Sequence, residues 1–161
     1  MVQSEGRDAL NPTGLDLGCG RNKLVGFLGV DRYFGLGVDV LAMAEYLPFR
    51  PNTFIRIRAS HTLEHVDNFA ATMREAHRVL RPNGTLDAVV PLGMDHNPYH
   101  RRHFWRDSLS AILEPKKSLE GDAWWVLLAT QVRPSNTARW HIGKRWFGAR
   151  KELGFLLGKV P

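Results

Sequence analysis

The chain has 161 residues, of which 43% are hydrophobic and 24% are charged. These are ordinary values for a globular protein, so they exclude a disordered or fibrous chain and predict a single domain over residues 1–161. No apolar run approaches the roughly 20 residues of a membrane-spanning helix, and the N-terminus lacks a signal-peptide core. We therefore expect a cytoplasmic protein without an integral membrane segment.

The net charge of +6 comes entirely from the C-terminal tail. Residues 1–132 contain 15 Lys and Arg against 15 Asp and Glu, whereas residues 133–161 contain 7 against 1. Because the main body is balanced, a basic groove across the whole fold is not indicated. We interpret residues 133–161 as a basic C-terminal extension of the same domain, made of a strand and a helix.

The first two predicted strands are short and close together. "TGLDL" (13–17) and "FLGVD" (27–31) are apolar runs that end at a glycine or a charge. Only nine residues, 18–26, separate them. A parallel crossover usually needs a dozen residues or more, so the first helix should be reduced to one turn or be absent.

The middle of the chain alternates strand and helix patterns. "FIRIRASH" (54–61) predicts a strand by its alternation. Residues 67–80 place apolar side chains at helical spacing behind an Asp or Asn cap, and "RPNG" should stop that helix. "GTLDAVV" (84–90) then predicts another strand.

Two further strand patterns lie near the C-terminus. "WWVLLAT" (124–130) and "ARWHIGKRW" (138–146) are separated by "RPSN", which is typical of a hairpin. Strands that alternate with helices, followed by a late hairpin, predict an α/β fold: a three-layer, Rossmann-like, mostly parallel sheet with an antiparallel C-terminal hairpin.

The turn after the first strand indicates a nucleoside site. Gly18 and Gly20 let a ligand approach the backbone, and Asp31 can accept hydrogen bonds from ribose hydroxyls. Lys23 stands where a dinucleotide fingerprint needs its third glycine, and no Walker loop occurs. The carboxylate of Asp16 would repel a phosphate but suits an ammonium or sulfonium group. S-adenosylmethionine carries both cations and a ribose, and it has no phosphate.

These segments resemble the class I methyltransferases that use S-adenosylmethionine, in a short form of their small-molecule (type 11) branch. "LDLGCG" is similar to the family's first motif, and "GVDR" to the strand with the ribose-binding acid. "LPF" (47–49) is similar to the loop before the fourth strand. "ASHTLEHV" (59–66) and "EAHRVLRPNGTL" (75–86) resemble the fourth strand, the following helix and the fifth strand. The resemblance covers about residues 13–105.

The resemblance implies roles for individual residues. Ser60 and His61 would form the floor under the sulfonium. Met43 stands where the family often has an acid near the adenine amino group, and Glu45 is the nearby carboxylate. The full implied cofactor set is Asp16, Gly18, Cys19, Gly20, Asp31, Met43, Ala44, Ser60 and His61. A second departure is the charged fourth strand, where the family's residues are mostly apolar.

Two histidines, His65 and His100, are the predicted catalytic residues. An imidazole titrates near neutral pH, so His65 or the neighbouring His61 could act as a general base, although both could instead brace the loop. His100 lies in "HNPYHRRHFW", which we interpret as a flap that closes the substrate pocket. Cys19 is interpreted as a small residue that fills a tight turn rather than as a nucleophile.

A metal site is not expected from the sequence. His96, His100 and His103 have the spacing of three ligands on one helix, but Pro98 lies within that span and disfavours a regular helix.

Three functions remain open at this point. The first is methyl transfer from S-adenosylmethionine to a small molecule or to a glycan or lipid-linked acceptor. The second is an RNA-binding or RNA-modifying module, because the tail interleaves aromatic residues with cations, namely Arg139, Lys144, Arg145, Arg150 and Lys151. The third is a non-catalytic relative that keeps the fold for protein interaction. The oligomeric state is left open.

The tail "RWFGARKELGFLLGKVP" (145–161) has two interpretations of its own. Its mixture of apolar and basic residues could lie in a membrane interface. Alternatively, it forms a final strand followed by a short helix that packs on the sheet.

Overall fold

The structure is a computed structural model that describes residues 13–94, 97–105, 107–108, 125–134 and 151–159. Its elements are, in chain order, β1 (Gly14–Leu17), β2 (Phe27–Asp31), β3 (Val40–Leu41), β4 (Phe54–Ser60), α1 (Phe69–Val79), β5 (Leu80–Leu92), β6 (Trp125–Pro134) and β7 (Lys151–Lys159).

All seven strands form one sheet in the order β3-β2-β1-β4-β5-β7-β6. The pairs among β1 to β5 are parallel. The strand β7 is antiparallel to both of its neighbours, β5 and β6. This arrangement confirms the predicted α/β class, with a mostly parallel sheet and an antiparallel C-terminal pair.

The connection between β1 and β2 contains turns and no helix, as its length of nine residues predicts. In the described residues, α1 is the one helix with both ends defined, and it packs on a single face of the sheet. The second helix layer of the predicted three-layer arrangement is therefore not found in this part of the chain.

The two faces of the sheet differ in chemistry because side chains alternate along each strand. One row across four strands is fully buried and apolar, and it consists of Leu15, Ile57, Leu86 and Leu157. The next row on the opposite face contains Asp16, Arg58 and Asp87. The hydrophobic core thus lies on the face that α1 covers.

The helix α1 begins behind Asn68, whose side chain accepts a hydrogen bond from the Ala71 N–H at 3.0 Å. This contact satisfies one of the amide groups that a helix start leaves free. The buried face of the helix consists of Thr72, Met73, Ala76 and Val79. The prediction of a capped helix over 67–80 is confirmed to within two residues at each end.

The last turn of α1 holds the "LPF" segment before β4. Arg78 donates to the Phe49 carbonyl at 2.7 Å and to the Leu47 carbonyl at 2.9 Å, and it pairs with Glu75. Glu75 in turn accepts the Leu47 N–H at 2.8 Å. The hydrogen bond from Arg78 is the main cause that lowers the pKa of Glu75. Residues 47–49 are therefore fixed to α1 by hydrogen bonds. The sequence had indicated this segment only through its similarity to the methyltransferase family.

Two predicted boundaries near the end of the sheet were wrong. Strand β5 begins at Leu80, directly after α1, rather than at Gly84, and it passes through a left-handed Asn83 (φ +63°). Strand β6 continues through Pro134, so "RPSN" does not start a turn at residue 133. The predicted partner strand at 138–146 lies outside the described residues.

The segment 151–159 was expected to be either a membrane-interface segment or a short helix that packs on the sheet; the predicted helix was wrong, because the segment joins the sheet as a strand. It forms β7, an inner strand whose Leu153, Phe155 and Leu157 are buried in the core. These side chains are not available to a lipid surface. Across the described ranges, none of the helices has the length and apolar content required to cross a bilayer.

We expect Arg78→Ala to lower the free energy of unfolding by about 1–3 kcal/mol, because it leaves two backbone carbonyls and Glu75 without their donor. Arg74→Ala is the matched control, since Arg74 is exposed on the same helix, and its effect should stay within about 0.5 kcal/mol. Urea denaturation followed by circular dichroism measures both. Equal losses would show that the Arg78 contacts do not stabilise the fold.

Candidate functional site

A pocket of about 550 Å³ lies at the carboxyl ends of the central strands. Its walls come from the segments that follow β1, β2, β3 and β4, where the strand order reverses. Open α/β sheets bind their ligands at this position, and the volume is within the usual range for a small-molecule site. Six of the predicted site residues line it, namely Gly18, Asp31, Met43, Ala44, His61 and His65.

The first wall of the pocket is the turn after β1. Gly18 has a left-handed backbone (φ +68°) and donates its N–H to the Val30 carbonyl at 2.8 Å. A side chain at this position would overlap Thr62, which lies on the segment after β4. Gly20 is also left-handed (φ +52°), but a side chain there would meet open space. The need for glycine at 18 is therefore both steric and conformational.

Asp31 closes the turn from the end of β2. Its Oδ2 accepts the Gly20 N–H at 3.0 Å, and its Oδ1 accepts the Tyr33 N–H at 2.9 Å. A carboxylate has about four acceptor positions, so two backbone bonds leave capacity for ligand hydroxyls. Because Asp31 also lines the pocket, it can hold the turn and bind a ligand at once.

Asp16 does not line this pocket. Its side chain is buried on the other side of β1, where it accepts the Leu24 N–H at 2.7 Å and pairs with Arg58 Nη1 at 3.0 Å. The carboxylate therefore holds the β1–β2 connection against β4. Ser60 also lies away from the pocket, in a groove on the same polar face as Arg58 and Asp87.

Cys19 lies in the turn but not among the residues that line the pocket. Its Sγ is 3.5 Å from the Gly37 carbonyl, and burial, followed by the carboxylates of Asp16 and Asp31, raises the pKa of the thiol to about 11. The thiol is therefore protonated at neutral pH, which is consistent with a packing role and not with a nucleophile.

Lys23 and Asp39 brace the turn from outside. Their salt bridge spans 2.8 Å, and Asp39 also accepts the Gly29 N–H at 2.7 Å. These contacts, with the backbone bond first, lower the pKa of Asp39. Lys23, which occupies the position of the third glycine of a dinucleotide fingerprint, thus has a structural partner.

His61 is held between two buried carboxylates. Its Nδ1 is 3.4 Å from Glu64 Oε1 and its Nε2 is 3.2 Å from Glu152 Oε1. The contact with Glu64 is the largest cause that raises the pKa of His61, while burial opposes it and Glu152 adds to it. Since both ring nitrogens face carboxylates, neither is left to take a proton from a substrate. The backbone of His61 is also left-handed (φ +54°).

Glu152 was missed by the sequence reasoning. It lies on β7, ninety-one residues from His61 along the chain, and the inner position of that strand brings it to the site. The only signal was its isolation as the one acidic residue in a basic tail.

The structure brings the two predicted catalytic residues together. The rings of His65 and His100 are 4.7 Å apart in an edge-to-face arrangement. His65 lines the pocket, and its Nδ1 is 3.0 Å from the Tyr99 carbonyl oxygen, so Nδ1 carries the proton and donates it. Of the other histidines considered for a metal, His103 is exposed and His96 lies outside the described residues.

Glu45, the carboxylate near Met43, lines the pocket and also bonds to the backbone before α1. Its Oε1 accepts the N–H groups of Asp67 and Asn68, at 2.9 and 3.1 Å, just before α1 begins. The carboxylate therefore supports the start of the helix from the wall of the pocket.

Comparisons with known proteins show what the sequence and the fold are similar to. A family model described as a methyltransferase domain matches residues 32–87. The human mitochondrial arginine hydroxylase NDUFAF5 is 30% identical over 92 residues, a match that covers 45% of this chain and 27% of the human protein. The chain thus spans little more than a quarter of that relative's length.

Solved structures extend the likeness to nearly the whole chain. The YcgJ protein of Bacillus subtilis has a TM-score of 0.66 at 14% identity, with 92% of each chain covered. The 1,6-didemethyltoxoflavin-N1-methyltransferase of Burkholderia thailandensis, solved with S-adenosylhomocysteine, has a TM-score of 0.66 at 17% identity, with 92% of this chain and 71% of that chain covered. The resemblance is therefore confirmed: this chain has the fold of the S-adenosylmethionine-dependent methyltransferases and carries the sequence pattern of their methyltransferase domain over residues 32–87.

Proposed function

We propose that the chain binds S-adenosylmethionine and transfers its methyl group to a small-molecule or glycan acceptor. The observation that supports this proposal most directly is the pocket at the ends of β1, β2 and β4, with a bare backbone at Gly18 and a carboxylate at Asp31. When bound, S-adenosylmethionine supplies an electrophilic methyl group on a sulfonium.

The residues present fit a nucleoside cofactor. The cavity of about 550 Å³ is large enough for it, and Asp31 retains acceptor positions for ribose hydroxyls. Met43 and Ala44 offer an apolar wall for a purine ring. The turn at Gly18 and Gly20 leads into no helix, so it lacks the helix N-terminus that a pyrophosphate would need.

The other residues of the predicted cofactor set act on the pocket from outside it. Asp16, Cys19 and Gly20 shape the β1–β2 connection, and Ser60 ends β4 on the opposite face of the sheet. His61 lines the pocket but is clamped by its two carboxylates. Its role in this proposal is to position the segment after β4.

The acceptor would enter beside the loop after β5. Pro98, Tyr99 and Arg101 of that loop line the pocket together with His65. Methyl transfer needs positioning and exclusion of water more than it needs a catalytic triad. His65 and His100 are therefore proposed to orient the acceptor at this end of the pocket.

An arginine hydroxylase activity is the second candidate, because the relatives matched over 92 residues are named for that activity. Methyl transfer labels the acceptor from S-adenosylmethionine and releases S-adenosylhomocysteine. A hydroxylation takes its oxygen atom from O₂, needs an external two-electron reductant, and leaves the acceptor unlabelled. Incubation with labelled cofactor and lysate fractions separated into small molecules, lipids, RNA and protein distinguishes them. Label that appears only in RNA would overturn the small-molecule acceptor.

RNA binding by the tail and a cytoplasmic location stay predictions. The cations at Arg139, Lys144, Arg145 and Arg150 lie outside the described residues. An RNA-binding function would give a steep dependence of affinity on salt concentration.

We expect Asp31→Asn to weaken S-adenosylmethionine binding by roughly 1.5–3 kcal/mol, the range for hydrogen bonds to a charged group. Asp39→Asn is the matched control, because Asp39 also accepts a backbone N–H in this region but does not line the pocket. It should lower the melting temperature and leave affinity nearly unchanged. Isothermal calorimetry measures both variants, and equal losses of affinity would place the ribose elsewhere.

We expect the single thiol, Cys19, to react slowly with a thiol reagent in the folded protein. Its pKa of about 11 leaves, at pH 8, a thiolate fraction roughly a hundredfold below that of an ordinary cysteine. The labelling rate should rise toward an inflection near this pKa, whereas the urea-unfolded chain should show the ordinary value. Equal rates for folded and unfolded chains at pH 8 would contradict the burial of this thiol.

A further inference from the structure

A cluster of possible metal ligands lies beside the pocket, which His65 lines and which the side chains of Glu64 and His100 do not line. Glu64, His65 and His100 each offer one ligand atom, and these atoms all lie within 4.8 Å of one another. Glu64 and His65 belong to the segment after β4, and His100 belongs to the loop after β5. The cluster therefore joins two segments that the sheet brings together, and it does not depend on spacing along one helix.

Glu64 supplies an independent observation. Its side chain is 0% exposed, and neither carboxylate oxygen forms a hydrogen bond with a described group. Its ion pair with His61 spans 3.4 Å, which is longer than a good hydrogen bond. The pairing with His61 therefore offsets only part of the cost of burying this carboxylate, and a metal ion bound at the same oxygens would offset more of it. Together with the imidazoles of His65 and His100, this carboxylate offers three possible ligands to one metal ion.

His65 is oriented as metal-binding histidines usually are. Because its Nδ1 donates to the Tyr99 carbonyl at 3.0 Å, the lone pair remains on Nε2. A backbone carbonyl that accepts from the second ring nitrogen is a common support for a metal-ligating histidine.

We propose that Glu64, His65 and His100 bind one divalent first-row transition-metal ion, such as Zn²⁺, Co²⁺ or Fe²⁺, at the wall of the pocket. Two imidazoles and a carboxylate suit these ions, whereas Mg²⁺ and Ca²⁺ prefer oxygen ligands. Three protein ligands leave at least one coordination position open.

His100 must rearrange slightly to take part. Its Nε2 is 2.9 Å from Asn97 Nδ2, and the Asn97 Oδ1 accepts the Tyr99 N–H. The Asn97 amide therefore donates to Nε2. Ligation through Nε2 displaces the Asn97 amide. Ligation through Nδ1 moves the ring proton to Nε2, and the Asn97 amide must then turn away, because two donors would face each other.

The open position would take an oxygen atom of the acceptor. An ion bound to a hydroxyl lowers the pKa of that hydroxyl, and its proton passes to solvent water. This use of the ion rests on the proposed methyl transfer and predicts an acceptor with a hydroxyl or carboxylate group. The binding of the ion itself does not depend on it.

The test is Co²⁺ binding by the untagged full chain after treatment with a chelator, followed by the visible absorption of the ion. We expect one Co²⁺ per chain, displaced by Zn²⁺ and not by Mg²⁺. His65→Ala and His100→Ala should each weaken binding by about tenfold or more, since loss of a supporting residue alone costs 10–100-fold. His103→Ala, on the same loop but exposed, is the matched control and should bind as the wild type does.

Glu64→Gln should also lose Co²⁺ affinity, and a thermal melt shows whether the variant folds. If it does not fold, the affinities of His65→Ala and His100→Ala for Co²⁺ test the metal site instead. Wild-type protein that binds no Co²⁺, or histidine variants that bind it as tightly as His103→Ala does, would overturn the metal site.

Calorimetry with S-adenosylmethionine in the presence of chelator separates this proposal from the proposed function. Cofactor binding without any Co²⁺ site would overturn the metal proposal alone. Failure to bind the cofactor with or without the ion would overturn the proposed function, and the Co²⁺ titration would still decide the metal site.

Discussion

The sheet has one apolar face and one charged face, and the other features of the molecule follow from this division. The ion pairs on the charged face join neighbouring strands: Asp16 on β1 pairs with Arg58 on β4, and Arg56 on β4 lies 3.8 Å from Asp87 on β5. Among the described residues no helix covers this face, and a row of paired charges is compatible with such a face, since buried charges are costly unless they are paired. The β1–β2 connection has only nine residues, which is too short for a helix that would cover the charged face. The short connection and the charged fourth strand are therefore related features of the fold.

The charged face of the sheet accounts for the arginines of β4, where the family's residues are mostly apolar. Arg58 appears as an anomaly only if the strand is buried on both faces, as parallel strands usually are. In the described chain, Arg58 instead neutralises Asp16, whose carboxylate on β1 accepts the Leu24 N–H of the β1–β2 connection. The acid of the first motif therefore holds that connection in place, whereas Asp31, at the end of β2, lines the pocket.

The sequence predicted the elements whose pattern is local. β1, β2, β4 and α1 were found from apolar runs, alternation and a capping residue, and Gly18 and Asp31 were found because strand ends meet at one edge of a parallel sheet. β7 was missed because three consecutive apolar residues, 155–157, obscure the alternation of its core face. Glu152 could not be assigned to the site, because its contact with His61 depends on the order of strands and not on any distance along the chain. The same reason hid the approach of His100 to Glu64 and His65, for which spacing along a single helix was the wrong criterion.

One end of the pocket is formed mainly by backbone groups and the other mainly by side chains. The fold fixes the first end more firmly than the second. At the cofactor end, the turn is fixed by backbone conformation and by backbone hydrogen bonds, as at Gly18 and Asp31. At the other end, the walls include side chains, with His61 between the carboxylates of Glu64 and Glu152 and His65 bonded to the Tyr99 carbonyl. Backbone geometry can be kept while side chains change. The fold alone therefore does not decide the reaction, and the proteins that this chain resembles include one named as a methyltransferase and one named as an arginine hydroxylase. The reaction is therefore to be sought in the side chains of this end of the pocket and not in the turn.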